Sequence, residues 1–121
     1  MRERIRDKER LAHILTAIDT LVEGSKRYTV EQAEKDSIIF YGFVKQVEII
    51  GEATYKLTKE FRAKHPEVEW DVIENMRHVL VHGYYAITPH KVWHVIDNDL
   101  PLLKPQIERF VEEESALQET E

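Results

Sequence analysis

The sequence predicts an all-α protein, an up-down bundle of about five helices that forms a single domain over residues 1–121. Apolar residues recur at three- and four-residue steps over long stretches, which is the periodicity of amphipathic helices. No segment shows the strict alternation of a half-buried strand, and the chain contains only four glycines and four prolines. A chain of 121 residues has room for one modest core, so the connections between helices must be short.

The first half of the chain predicts three helices. Residues 3–23 carry the first apolar stripe, and we expect Gly24 to end this helix. The segment Thr29–Gln32 reads Thr-Val-Glu-Gln, which has the form of a capping box and predicts a short second helix. Residues 36–63 predict a long third helix.

The third helix is apolar around more than half of its circumference. Such a helix is central in its bundle or is covered on a second side by another chain, and we therefore expect a homodimer. Gly42 and Gly51 lie inside this helix at a cost in helix propensity, so we expect them to allow a close approach of neighbouring helices.

The second half of the chain predicts further helices separated by prolines. Pro66 follows His65 and ends the long helix, and the next helix spans roughly residues 70–82. Thr88-Pro89 has the form of a helix start, and Asp99-Leu100-Pro101 is expected to begin a last helix. The tail from about residue 112 is acidic and is expected to fray.

Composition excludes several classes of function. The chain has no cysteine, which rules out disulfides, thiolate catalysis and cysteine-based zinc sites. The first ten residues are highly charged and are not a signal peptide, and no apolar run is long enough to span a membrane, so we expect a cytoplasmic protein. The net charge of −6 argues against a general nucleic-acid binder, although a local cationic cleft would need only a few cations.

The residues that carry candidate chemistry lie at the end of the helix predicted over residues 70–82. Arg77 offers a permanent forked cation for phosphate, and His82 is able to transfer protons at neutral pH. Positions five apart are about 140° from each other on an ideal helix. Two geometries would bring the pair together: unwinding at Gly83, or the meeting of two subunits across a two-fold axis. The spacing alone favours a structural interpretation, in which Arg77 pairs with a carboxylate and His82 simply ends the helix.

The segment resembles the signature of the HEPN ribonuclease superfamily. That signature consists of Arg, a polar residue, three variable positions, His, one variable position and Tyr. The segment is closest to the HepT-like branch, the toxins of HepT/MNT toxin–antitoxin pairs. The likeness covers most of the chain, because other segments also resemble the family's pattern. Matching positions are Gly51-Glu52-Ala53, Pro66, Trp70, Met76, Arg77, His78, His82, Tyr84, Val92-Trp93 and Asp99–Leu102. One departure is His78, because close relatives carry Asn directly after the Arg.

The resemblance implies a homodimeric, metal-independent endoribonuclease that needs no cofactor and cuts RNA in a cleft lined by both motifs. Arg77 would hold the phosphate, His82 would transfer protons, and His78 would orient the phosphate or serve as a second proton-transfer group. The resemblance also implies a cognate minimal nucleotidyltransferase as antitoxin, which attaches AMP to Tyr84. Tyr85 is expected only to pack against the bundle.

Three alternatives stay open on the sequence alone. Glu52 either supports the site or forms an ion pair with Arg77 or a neighbouring Lys. The pairs His78/His82 and His90/His94 have the four-residue spacing of a metal site, but no acidic residue is placed to complete one. The protein as a whole would alternatively be a non-catalytic helical dimer that binds, or is modified by, a nucleotidyltransferase.

Overall fold

The computed structural model describes the backbone of residues 2–82 and 88–120, and the side chains of residues 6–76 and 88–117. The described part of the chain is helical and contains no strand, which confirms the all-α prediction. Its elements are α1 (Arg2–Arg27), α2 (Val30–Lys35), α3 (Ser37–Tyr55), α4 (Lys59–Lys64), α5 (Trp70–His82), α6 (Pro89–His94), a π-helical turn (Val95–Asp99) and α7 (Leu100–Thr120). No helix in these ranges is both long enough and apolar enough to cross a membrane.

The first helix is longer than the sequence predicts. It continues through Gly24 to Arg27, so the expectation that Gly24 ends it was wrong. The reason is tertiary: an added Cβ at Gly24 would lie 2.9 Å from Cζ of Phe43. Gly24 therefore lets the Phe43 ring reach the backbone of α1, and this packing outweighs the low helix propensity of glycine.

The predicted helix over residues 36–63 is two helices. The chain leaves the helix after Tyr55 and starts α4 at Lys59, with Thr58 as its N-cap. The carboxylate of Asp7 accepts hydrogen bonds from the backbone N–H (2.9 Å) and the hydroxyl (2.7 Å) of Thr58. A partner 51 residues away in the sequence thus fixes the break, and local periodicity gives no sign of it.

The capping predictions are confirmed. Thr29 accepts a hydrogen bond from the backbone N–H of Gln32, whose side chain accepts one from the N–H of Thr29, as in a capping box. Thr88 caps α6 with Pro89 in its first turn. The predicted helix over residues 70–82 is confirmed as α5.

The last helix begins at Leu100, within the predicted start Asp99-Leu100-Pro101, and it extends to Thr120. The chain stays helical from Pro89 to Thr120, because α6 and α7 are joined by the π-helical turn. In this turn the N–H of Leu100 donates a hydrogen bond to the carbonyl of Val95, five positions earlier. Pro101 therefore follows without ending the helix. The acidic tail also belongs to α7, and Glu114 within it is only 3% exposed.

The core is built around α1, which packs against both α3 and α7. Helices α1 and α3 run antiparallel, since Gly24 meets Phe43 near one end and Asp7 meets Thr58 near the other. Helix α5 packs against α3. The most deeply buried side chains are Leu11, Ile14, Ile18, Leu21, Ile50, Thr54, Leu100, Ile107 and Phe110.

Candidate functional site

Helix α5 carries the predicted motif and is anchored at its first turn. Trp70 is 6% exposed, and its indole N–H donates a hydrogen bond of 2.9 Å to the carbonyl of His65. The Trp70 ring also packs against Phe61 and Phe110, with centroid distances of 5.9 and 6.0 Å. This aromatic cluster fixes where α5 begins, and therefore the height at which its later residues lie along α3.

The backbone positions of Arg77, His78 and His82 lie in the second half of α5. Because the helix extends through His82, positions 77 and 82 are about 140° apart around its axis. The side chains of these three residues, and Tyr84 and Tyr85 altogether, lie outside the described residues. The role of each in a cleft therefore stays a prediction.

Glu52 lies on α3, the helix against which α5 packs. Its carboxylate is 3.6 Å from the ammonium of Lys56, one turn further along the same helix. The Glu52 side chain is 42% exposed and that of Lys56 is 50% exposed. The sequence left open an ion pair of Glu52 with a neighbouring lysine, and Lys56 is such a partner. The pair lies at the surface and is not buried.

Glu52 also lines a groove between α1 and α3. The groove has a volume of about 360 Å³ and is lined by Arg10, His13, Lys45, Glu48, Ile49, Glu52, Ala53 and Lys56. Arg10 and His13 received no role in the sequence prediction, because they lie more than sixty positions before the motif. Only the antiparallel packing of α1 on α3 brings them next to Glu52.

Within the described residues, the imidazoles of His90 and His94 contact different side chains. His90 Nε2 lies 3.4 Å from a carboxylate oxygen of Glu34 on α2, whereas His94 Nδ1 lies 3.2 Å from the side-chain nitrogen of Asn98. The two imidazoles therefore have separate partners. Within the described residues, no three His, Asp or Glu side chains are grouped in a way that would hold a metal ion.

Comparisons with known proteins agree with the resemblance of the motif. A family model described as "Ribonuclease HepT-like" matches residues 14–110. Among curated relatives, a "Putative RNase" of Caldanaerobacter subterraneus subsp. tengcongensis is 38% identical over 104 residues, which cover 86% of this chain and 93% of the relative. A "Probable ribonuclease HepT" of Thermococcus cleftensis is 29% identical over 103 residues, covering 85% of this chain and 94% of the relative.

No solved structure matches the chain significantly. The family model nevertheless covers α1 from Ile14 onwards, all of α2 to α6, and α7 as far as Phe110. The chain therefore belongs to the HepT-like ribonuclease family.

Proposed function

We propose that this protein is a metal-independent endoribonuclease, the toxin of a type VII-like HepT/MNT toxin–antitoxin pair, acting as a homodimer. The observation that carries the proposal is the family match over residues 14–110, because it includes the whole of α5 with Arg77 and His82. The printed names of the relatives, which call them ribonucleases, support RNA as the substrate.

The proposed chemistry is an internal transfer of the phosphodiester. One histidine removes the proton from the ribose 2′-hydroxyl, whose oxygen attacks the adjacent phosphorus. The P–O5′ bond breaks, and the leaving 5′-oxygen takes a proton from a second group, so that the products are a 2′,3′-cyclic phosphate and a 5′-hydroxyl. His82 and His78 are the proton-transfer groups, and Arg77 stabilises the negative charge that builds on the phosphate oxygens. Only RNA offers the 2′-hydroxyl that this route needs.

The proposed control point is Tyr84. It follows His82 by two positions, so an AMP group on its hydroxyl would place bulk and negative charge beside the residues that receive the RNA phosphate. The partner that adds the AMP is a cognate minimal nucleotidyltransferase.

Cleavage of RNA in the presence of EDTA tests the proposal. The wild-type protein should cut with a chelator present and leave 2′,3′-cyclic phosphate ends, whereas His82→Ala should be inactive with unchanged helical circular dichroism. A fully active His82→Ala variant would contradict the role of His82. Activity that is lost on chelation and restored by a metal ion would contradict metal independence.

A second candidate is a non-catalytic helical dimer that binds, or is modified by, the nucleotidyltransferase. The net charge of −6 and the presence of His78 favour it, because an acidic protein repels RNA and close relatives carry Asn at this position. This candidate predicts modification of Tyr84 without any RNA cleavage by the unmodified wild type.

A further inference from the structure

We infer that the groove between α1 and α3 is an RNA-binding site of this protein, with Arg10 and His13 on one wall and Lys45 and Lys56 on the other. These residues lie on helices other than the one that carries the motif, and none was assigned a role by the motif. The choice of RNA as the anion rests on the proposed function. The presence of the groove and its charge are independent of the proposed function.

The wall on α1 presents two groups suited to phosphate. Arg10 and His13 are three positions apart and therefore lie on one face of the helix. Arg10 Nη1 donates a hydrogen bond of 3.3 Å to the carbonyl of Arg6, which occupies one of its five N–H groups. His13 is exposed, and among the described residues its imidazole has no hydrogen-bond or ion-pair partner.

The wall on α3 holds two lysines in surface ion pairs. Lys45 lies 3.6 Å from Glu48, and Lys56 lies 3.6 Å from Glu52. These side chains are between 38% and 62% exposed, so each pair contributes little to stability. The ammonium groups are therefore able to turn towards a phosphate at small cost.

The groove is cationic on a protein that is acidic as a whole. Among the described residues that line it, three permanent cations and two carboxylates leave an excess of one positive charge, before any proton on His13 is counted. The whole chain has a net charge of −6. The floor includes Ile49 and Ala53, whose apolar side chains lower the local dielectric and strengthen contacts between ions.

The spacing of the cations favours an extended polyanion over a single free phosphate. Lys45 and Lys56 are eleven positions apart, which is about 16 Å along a helix axis. One phosphate cannot reach both ammonium groups, whereas successive phosphates of a single strand are able to do so. A single-stranded RNA chain that lies along α3 fits the arrangement.

The test is equilibrium binding of a 2′-O-methyl single-stranded RNA, which lacks the reactive hydroxyl, measured by fluorescence anisotropy at several salt concentrations. Arg10→Gln should weaken binding about tenfold, as expected for one lost charge-assisted hydrogen bond. It should also lower the slope of log K against log salt by about 0.7. Lys26→Gln is the control, because it also removes one cation from α1 but at an exposed position outside the groove.

Glu48→Gln is a second test, in which the expected result is tighter binding. A folding defect would weaken binding and therefore cannot produce this result. Removing this carboxylate leaves Lys45 without its partner and raises the charge of the groove, so RNA should bind more tightly. Glu112→Gln, an exposed change on α7 outside the groove, should leave the affinity unchanged.

The inference is wrong if Arg10→Gln and Glu48→Gln both bind as the wild type does, if Lys26→Gln weakens binding equally, or if no variant binds RNA. Competition by an acidic polypeptide as strong as that by RNA would overturn RNA as the occupant. The proposed function is tested separately, by measuring whether the wild-type protein cleaves RNA that carries its 2′-hydroxyl groups. Cleavage with an unaltered Arg10→Gln affinity refutes the groove alone, and groove binding without cleavage refutes the ribonuclease alone.

Discussion

Asp7 illustrates how one buried residue decides a helix boundary in this protein. It is 4% exposed, and its two carboxylate oxygens accept hydrogen bonds from the N–H and the hydroxyl of Thr58. The Thr58 hydroxyl oxygen in turn accepts a hydrogen bond of 3.1 Å from the N–H of Phe61 and caps α4. The three groups form a chain in which each donor has a buried acceptor.

Replacing Asp7 with Ala should destabilise the protein by about 2–4 kcal/mol, because it leaves two donors of Thr58 without their acceptor. Urea unfolding followed by circular dichroism measures the change. Asp97→Ala, at an exposed position in the π-helical turn, is the control and should shift the free energy of unfolding by less than about 0.5 kcal/mol. Equal effects of the two variants would show that the link to Thr58 is not stabilising.

Tyr84 is the residue at which we expect activity to be controlled. Incubation with a cognate nucleotidyltransferase and ATP–Mg²⁺ should add the mass of AMP to the peptide that contains Tyr84, and the modified protein should lose its ribonuclease activity. Tyr84→Phe should resist modification and stay toxic in cells that carry the partner. If AMP is found on Tyr85 alone, the family's control residue has been assigned to the wrong position.

At the scale of elements, two glycines in similar helices have opposite surroundings. Gly24 faces the ring of Phe43, whereas an added Cβ at Gly42 would have no atom within 4 Å. The expectation that Gly42 allows close packing within the chain was therefore wrong, and Gly24 has that role. Gly51 is buried, and the close approach of helices expected there stays a prediction.

The two glycines predict opposite effects of the same substitution. Gly24→Ala should lower the free energy of unfolding by about 1–3 kcal/mol, because the new methyl group overpacks against Phe43. Gly42→Ala should raise it by about 0.5–1 kcal/mol through helix propensity. Thermal and urea unfolding of the two variants measure both signs. A destabilised Gly42→Ala protein would contradict the open space at this position.

Local signals predicted the starts of α2, α5 and α6, and missed the boundaries that depend on distant contacts. Thr29, Thr88 and the span of α5 were predicted correctly, because capping and periodicity are local. The break at Thr58 depends on Asp7, and the continuation of α1 depends on Phe43. The same limit applies to the site: a motif is visible in sequence, whereas Arg10 and His13 meet Glu52 only after α1 packs on α3.

At the scale of the whole molecule, the first turns of α3 leave apolar side chains exposed. Ile38 is 86% exposed and Tyr41 is 60% exposed, and both lie on the first turns of this helix. We expect a second copy of the chain to cover apolar surface that the monomer leaves in water. Light scattering at micromolar concentration should then give twice the chain mass of 14.3 kDa. A stable monomer that still cuts RNA would exclude a site shared between subunits.

Of the two geometries that would bring Arg77 and His82 together, we propose that the homodimer uses the meeting of two subunits across a two-fold axis, and exchange of inactive subunits tests this most directly. Arg77→Ala and His82→Ala dimers, each inactive alone, are mixed under conditions that allow subunits to exchange, and RNA cleavage is measured in EDTA. A shared site restores one intact pair in each mixed dimer, so random exchange should recover about a quarter of wild-type activity. No recovery, with mixed dimers shown to be present by mass, would contradict the account.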